Sequence, residues 1–264
     1  MSQHIPSPND YLASLPPSQL TPTMTFYGTR GAPNPRRVEI FFAEHHMYEN
    51  KQYNYVNINL KEMEHKKNGK YATPNQKVPM LTIEYDPDPE QQPHGEGVLV
   101  ESVAICKYIE ERDHVSGACL FGFLPMEKAT IEMWNRRIEF ELFLGAVGKA
   151  WLQSPLLQSL RKKKGLADRP KDYTEGVRLS HKFYKNMEQI LSKENYGAYI
   201  AGGDRFSVAD VTLLCVLDFG SGLVGIIPKW KELPYLKKWY QLCCERESIQ
   251  KYHPNPYLKK DSKM

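Results

Sequence analysis

Apolar residues follow two different rhythms along this chain. Up to about residue 112 they fall in short runs rich in β-branched and aromatic side chains: MTFYG (24–28), YNYVNIN (53–59), Val78–Tyr85 and Gly97–Glu101. Runs of this kind predict four strands. Between the first two, Val38, Phe41, Phe42 and His45 recur at i, i+3, i+4, i+7, which predicts a helix with one buried face. Asn34-Pro35 reads as its N-cap followed by proline at the first helical position. An irregular helical piece is expected around 61–72, and another helix opens at Ser102. The order β-α-β followed by β-β-α is that of a thioredoxin-like α/β layer, here without a CxxC.

After Asp113 the rhythm changes to helical spacing, through Ile131, Trp134, Ile138 and Leu142, then Val177, Tyr184, Met187 and Leu191. Segment 207–219, SVADVTLLCVLDF, is apolar nearly all round and predicts a helix buried inside a bundle, with Ser207-x-x-Asp210 as its capping box. Leu233, Leu236, Trp239 and Tyr240 predict a last helix before a proline-bearing tail. The expected organisation is a flexible tail (1–23), an α/β domain (24–112), a linker (113–125), an all-α domain (126–258) and a short tail (259–264). The basic run Arg161–Lys164 reads as a solvated loop between helices, and DPDPEQQPHGE (86–96) as a surface loop lengthening the turn between two strands.

Composition narrows the classes. Hydrophobic content of 41% and charged content of 25% over 264 residues are those of a globular protein with a real core. The net charge of +4 is spread out and forms no nucleic-acid stripe. No apolar run approaches the roughly 18 residues of a membrane span. The polar, proline-rich N-terminus does not read as a secretory signal. Five cysteines without CxxC or scaffold spacing point to a reducing, cytosolic compartment.

The chemistry concentrates in residues 72–112. Pro79 stands at a strand start, one of the few strand positions that tolerate proline and one where a cis bond can be built in, leaving the main chain of Val78 to pair with an extended peptide. Glu101-Ser102 brings an acid, a hydroxyl and the N–H groups of a helix start together, and such a start binds carboxylates. The two features describe a pocket for a small peptide carrying both an amine and a carboxylate. The alternative is an ordinary hairpin feeding a helix capped by Ser102.

Over residues 24–250 the chain resembles the cytosolic glutathione transferase superfamily. The resemblance is carried by KVPML with Pro79, ESVAICKYIEE (101–111), EMWNRRIEFEL (132–142) and YIAGGDRFSVADVTLL (199–214). GAPNPRRVEIFFAEHHM (31–47) and EMWNRR are similar to the branch that includes the yeast type-two transferases. The APN of the first loop also resembles Nu-class enzymes and fungal nitrogen-regulator proteins.

The resemblance implies a glutathione-binding α/β domain followed by a helical bundle, a homodimer, and glutathione as co-substrate with no metal. It implies that Val78, beside a cis Pro79, pairs its main chain with the cysteinyl part of glutathione. Glu101 and Ser102 would hold the γ-glutamyl amine and carboxylate, and Lys77 and His65 would face the glycine carboxylate. The first loop, Thr29 to Pro35, offers no Ser or Cys to activate the thiol. Asn34 is the matched donor and Thr29 the alternate, with Arg30 adding positive potential; a plain N-cap is the other reading of Asn34. The Ser and His that the yeast type-two branch places on its fourth helix correspond to Val147 and Trp151 here, and neither supplies that device. Phe143, Val147 and Trp151 form an apolar wall for a hydrophobic electrophile, or else plain core. Three functions follow as expectations: conjugation of glutathione to an electrophile, glutathione-dependent disulfide or peroxide reduction, or a non-catalytic glutathione-binding regulator.

Overall fold

The computed structural model describes residues 23–58, 77–84, 97–112 and 118–257. Its contacts divide the chain into two compact units, Met1–Arg30 with Met47–Ile105, and Gly31–His46 with Cys106–Met264. The first holds a four-stranded sheet made of β1 (Thr23–Gly28), β2 (Asn54–Asn57), β3 (Met80–Glu84) and β4 (Gly97–Val100). The strand order is β2-β1-β3-β4. The β1–β2 pair is parallel, and β1–β3 and β3–β4 are antiparallel. β3 reads MLTIE and is buried on both faces except at its end, as a strand with a neighbour on each side should be.

Pairing in β3 begins at Met80 rather than at Val78, because Pro79 has no N–H to give to the ladder. The Val78–Pro79 peptide is cis. β2 is shorter than the expected 53–59, with Tyr53 in an isolated bridge to Glu49 while Ile58 donates its N–H to the Gly28 carbonyl at 2.7 Å. The helical piece expected at 61–72 and the 86–96 insert lie outside the described residues.

The second unit begins with α1 (Pro33–Glu44), whose N-cap is Ala32 and not Asn34. Pro33 fixes its own φ for the first helical position and drives Ala32 into the extended region, φ −67° and ψ 140°, so the helix starts two residues earlier than the Asn-Pro pair suggested. Arg36 gives the first intrahelical bond, 3.0 Å to the Ala32 carbonyl. Val38, Phe41, Phe42 and His45 are buried as their spacing required. α2 (Ser102–Arg112) follows the sheet.

A continuous helical rod then runs as α3 (Pro125–Arg137), a π-helical stretch (Ile138–Val147) and α4 (Gly148–Gln153). A β-carbon on Gly145 would stand 2.6 Å from the Phe140 carbonyl, so glycine leaves that wide turn room to form. α5 (Gln158–Lys163) holds most of the basic run that the sequence assigned to a solvated loop. Arg161 is buried instead. Its guanidinium donates to the carbonyls of Ser154 (2.8 Å) and Leu152 (3.1 Å) and pairs with Asp168 at 2.9 Å, closing the chain reversal between rod and next helix. The apolar stem of an arginine tolerates burial while its guanidinium fork satisfies the buried carbonyls.

α6 (Pro170–Leu191) crosses the rod through small side chains. All twelve residues of α7 (Val208–Phe219) are buried, and α8 (Pro234–Cys244) presents Leu236, Trp239 and Tyr240 to the core. At the α7 start the fully buried Asp210 accepts four hydrogen bonds, from Ser207 N–H and Oγ–H, Ile200 N–H and Trp239 Nε1–H, all at 2.8–2.9 Å. No helix among the described residues is long and apolar enough to cross a membrane. The five cysteines are unpaired; Cys106, Cys215 and Cys243 are buried and Cys244 half-buried, and burial pushes the Cys215 and Cys244 thiols up to about 11.

The helix crossing yields a direct test. A β-carbon on Gly176 would meet the Ala146 carbonyl at 2.6 Å and the Ala150 β-carbon at 2.9 Å. Gly176→Ala should therefore lower unfolding stability by about 1–3 kcal/mol, read as a lower urea midpoint with an unchanged slope. A midpoint equal to that of the parent would show that the crossing has slack.

Candidate functional site

The sheet register gathers the sequence-predicted binding residues of the first unit at one end. Met80 faces Tyr27 across β1–β3 and Val100 across β3–β4. Hence Lys77, Val78 and Pro79 enter β3, Thr29 and Arg30 leave β1, and Glu101 and Ser102 leave β4, all at the same edge. Antiparallel pairing alone makes neighbours of Tyr27 and Met80, and of Met80 and Val100, and so brings the ends of three strands together.

At this edge Glu101 is exposed and holds φ +71°, the left-handed region that a glutamate rarely occupies. Its carbonyl accepts the Ile105 N–H at 3.0 Å, so Glu101, not Ser102, occupies the cap position of α2. Ser102 is the first helical residue and is buried. The left-handed turn costs on the order of 1 kcal/mol and places an acid beside the N–H groups of a helix start. Val78 is half-buried and Lys77 exposed. His65 lies outside the described residues.

Thr29 is tied down: its hydroxyl donates to the Ile58 carbonyl at 2.7 Å. A hydroxyl has one proton, and this one is already engaged. Arg30 pairs with Glu49 at 2.7 Å and lies over the Tyr55 ring at 4.2 Å, so its charge is largely balanced where it stands.

In the second unit, the α1 start has an unusual donor set. A helix leaves about four N–H groups without intrahelical partners at its N-terminus. Here Pro33 and Pro35 have none to give, which leaves those of Ala32 and Asn34. Asn34 is half-buried and sits inside the first turn, where its side-chain amide adds two further donor protons. The same helix anchors itself through Arg36, whose guanidinium meets Asp218 of α7 at 2.8 Å and the His253 carbonyl at 3.0 Å. Asp218 also accepts from Tyr240 (2.7 Å) and Asn255 (2.6 Å). Burial pushes the Asp218 carboxyl up while Arg36 and Tyr240 draw it down. Three side chains thus donate to this carboxyl: Arg36, Tyr240 and Asn255.

Two of the residues expected to form an acceptor wall gather on a residue the sequence did not single out. Phe219, at the end of α7, takes Trp151 at 5.3 Å, Phe143 at 6.3 Å and Tyr257 at 6.4 Å, all edge to face. Phe143 and Trp151 are half-buried, whereas Val147 has no accessible surface and packs toward Gly220. In the sequence Phe219 is the last apolar residue of the buried run 207–219, and Tyr257 lies in the proline-bearing stretch after the last helix. Neither has a periodic signal, since their meeting depends on how the chain returns after α8.

Comparison with known proteins agrees with this geometry. Residues 22–111 match the glutathione S-transferase N-terminal domain and residues 156–255 the glutathione S-transferase C-terminal domain. Glutathione S-transferase 2 of Saccharomyces cerevisiae is 31% identical over 232 residues, covering 86% of this chain and 88% of its own. The crystal structure of Gtt2 from the same yeast superposes with a TM-score of 0.68 at 27% identity, covering 86% of this chain and 99% of that one. A glutathione S-transferase of class Gtt2 from Vibrio parahaemolyticus gives a TM-score of 0.64 at 25% identity, with 86% and 96% coverage. A glutathione S-transferase-I structure bound with the ligand lactoylglutathione gives 0.63 at 25% identity, with 87% and 98% coverage. A thioredoxin-like sheet domain, a helical domain and these relatives lead to one conclusion: the chain belongs to the glutathione S-transferase family.

Proposed function

We propose that the protein conjugates the thiolate of glutathione to a hydrophobic electrophile. The observation that carries this reading is the clustering of Val78–Pro79 and Glu101–Ser102 at one sheet edge. Glutathione carries two carboxylates and one ammonium, and that edge offers an acid, a helix start and a nearby lysine. The γ-glutamyl end is assigned to Glu101 and Ser102, the cysteinyl main chain to Val78, and the glycine carboxylate to Lys77 and His65. A relative that holds lactoylglutathione supports a glutathione-type ligand in this fold.

Thiol activation is assigned to Asn34, through its amide and its backbone N–H at the α1 start. Thr29 is the weaker donor because its proton is already given to Ile58. A free thiol titrates near ~8.5, so donors and a helix dipole aimed at sulfur raise the thiolate fraction at neutral pH. The thiolate then attacks the electrophilic carbon: a C–S bond forms and the leaving group departs with its electron pair. Phe143 and Trp151, with Val147 behind them, supply the apolar wall. The first loop has no cysteine, which favours conjugation over a covalent, glutaredoxin-like disulfide exchange.

Association into a homodimer fits one further feature. Met126, Met133, Phe140 and Leu144 are 78%, 47%, 58% and 59% exposed and fall on one stripe of the rod. An apolar stripe of this kind marks an interaction face, and we assign it to a second copy. The unpaired cysteines fit a reducing, cytosolic setting.

Three outcomes follow. Asn34→Ala should keep glutathione affinity, measured by calorimetry, within about twofold while raising the thiol pKa by about one unit. The acid limb of the pH–rate profile moves up accordingly and neutral turnover with a chloronitrobenzene falls about tenfold. Parallel loss of affinity and turnover would make Asn34 structural instead. Ser102→Ala should weaken retention on a glutathione resin, and equal retention would sink the γ-glutamyl assignment. Phe140→Lys should shift the mass seen by light scattering from two chains to one, whereas a monomeric parent would refute the stripe as an interface. If the parent binds glutathione but reduces hydroxyethyl disulfide without conjugating, the reductase reading takes its place.

A further inference from the structure

The chain that returns after α8 makes a set of contacts whose combined purpose the transferase reading does not use. Residues His253–Tyr257 are anchored at one end by the buried ion pair. The His253 carbonyl accepts from Arg36 at 3.0 Å, and the Asn255 amide donates to Asp218 at 2.6 Å. Asn255 also turns the chain, its Oδ1 accepting the Tyr257 N–H at 2.9 Å. At the other end the Tyr257 hydroxyl donates to the Gly31 carbonyl. Gly31 holds φ +84°, and a β-carbon there would touch Pro256 at 3.5 Å. The Tyr257 ring lies edge-on to Phe219, the centre of the aromatic cluster that includes Phe143 and Trp151. One side chain thus grips the loop two residues ahead of α1 and closes the apolar cluster at once.

We propose that Tyr257 is a positioning residue: its hydroxyl fixes the Gly31 carbonyl, and with it the turn that presents Asn34 at the α1 start, while its ring completes the acceptor wall on Phe219. The assignment of Asn34 as thiol activator is the reading on which the catalytic half of this proposal rests. The chemistry favours a tyrosine. Burial pushes the phenol up from its ordinary value, so it remains a donor throughout the physiological range. A rigid ring with two χ angles holds its hydroxyl in place at little entropic cost. Gly222 supplies the room: a β-carbon there would fall on the Tyr257 side chain, and its own backbone φ is ordinary. Glycine at 222 is therefore required by the tyrosine, not by the helix.

The test uses three variants of the full chain. Tyr257→Phe keeps the ring and removes the hydroxyl. Gly222→Ala keeps the hydroxyl and displaces the ring. Asn255→Ala loosens the anchor without touching Gly31. In each, hydrogen exchange of a peptide covering residues 29–36 should speed up about tenfold or more in the absence of glutathione. Tyr257→Phe should lower kcat with a chloronitrobenzene about three- to tenfold at unchanged KM for glutathione, and Gly222→Ala should also raise KM for the electrophile. Unchanged exchange in Tyr257→Phe and in Gly222→Ala would overturn the proposal, whatever the activity. Faster exchange with unaltered kcat in both would also overturn it, because the loop would then move without consequence. A parent protein that neither binds nor conjugates glutathione would instead defeat the transferase reading. In that case the exchange result alone decides whether Tyr257 holds the loop.

Discussion

The buried pair between Arg36 and Asp218 is the constraint on which the helical unit turns. It joins the first turn of α1 to the last turn of α7, with side chains 4% and 1% exposed. An uncompensated charge at such a depth is costly, and removing either partner alone would leave one. The cost is met by surrounding donors: Tyr240 and Asn255 reach the carboxylate, and the His253 carbonyl takes the second guanidinium nitrogen. Those extra bonds draw α8 and the returning chain onto the same point. The helix that carries Asn34 is thereby held by a polar network rather than by apolar packing alone.

A second buried carboxylate does comparable work at the other end of α7. Asp210 gathers the α7 start, the Ile200 loop and α8 through four donors. Burial pushes its carboxyl up, and the donors act in the opposite sense. α7 is buried on every side, so it has no amphipathic face to set its rotation in the bundle. Directional hydrogen bonds at Asp210 and Asp218 supply that orientation, and Thr212, bonded to Asn135 at 2.7 Å, adds a third point along the helix.

The sheet edge solves a different problem. On the proposed reading, a small zwitterionic peptide needs main-chain groups, an acid and a helix start brought together without long side chains. Antiparallel pairing around Met80 and Val100 provides this, and the left-handed Glu101 turns the acid out at the junction of strand and helix. Burial raises the pKa values of Cys215 and Cys244, which keeps both thiols protonated and poorly nucleophilic at neutral pH.

Periodicity and motif were enough to place the strands, the helix carrying Phe41 and Phe42, the buried run 207–219 and its Ser207–Asp210 cap, because each is a local pattern with one stable burial solution. That Pro79 and Glu101-Ser102 stand where strands begin and end was legible too, and the sheet register brings those strand ends together. Local pattern misjudged the start of α1: Pro33 competes with Pro35 for the first helical position, and only the traced backbone shows that Ala32 is the cap. It also misread Arg161, whose charge suggests solvent while its fork satisfies buried carbonyls. The π-helical stretch, the meeting of Tyr257 with Gly31 and the place of Phe219 among four aromatics were decided by the tertiary structure. These depend on contacts between residues up to 226 positions apart, and no spacing within a single element encodes them.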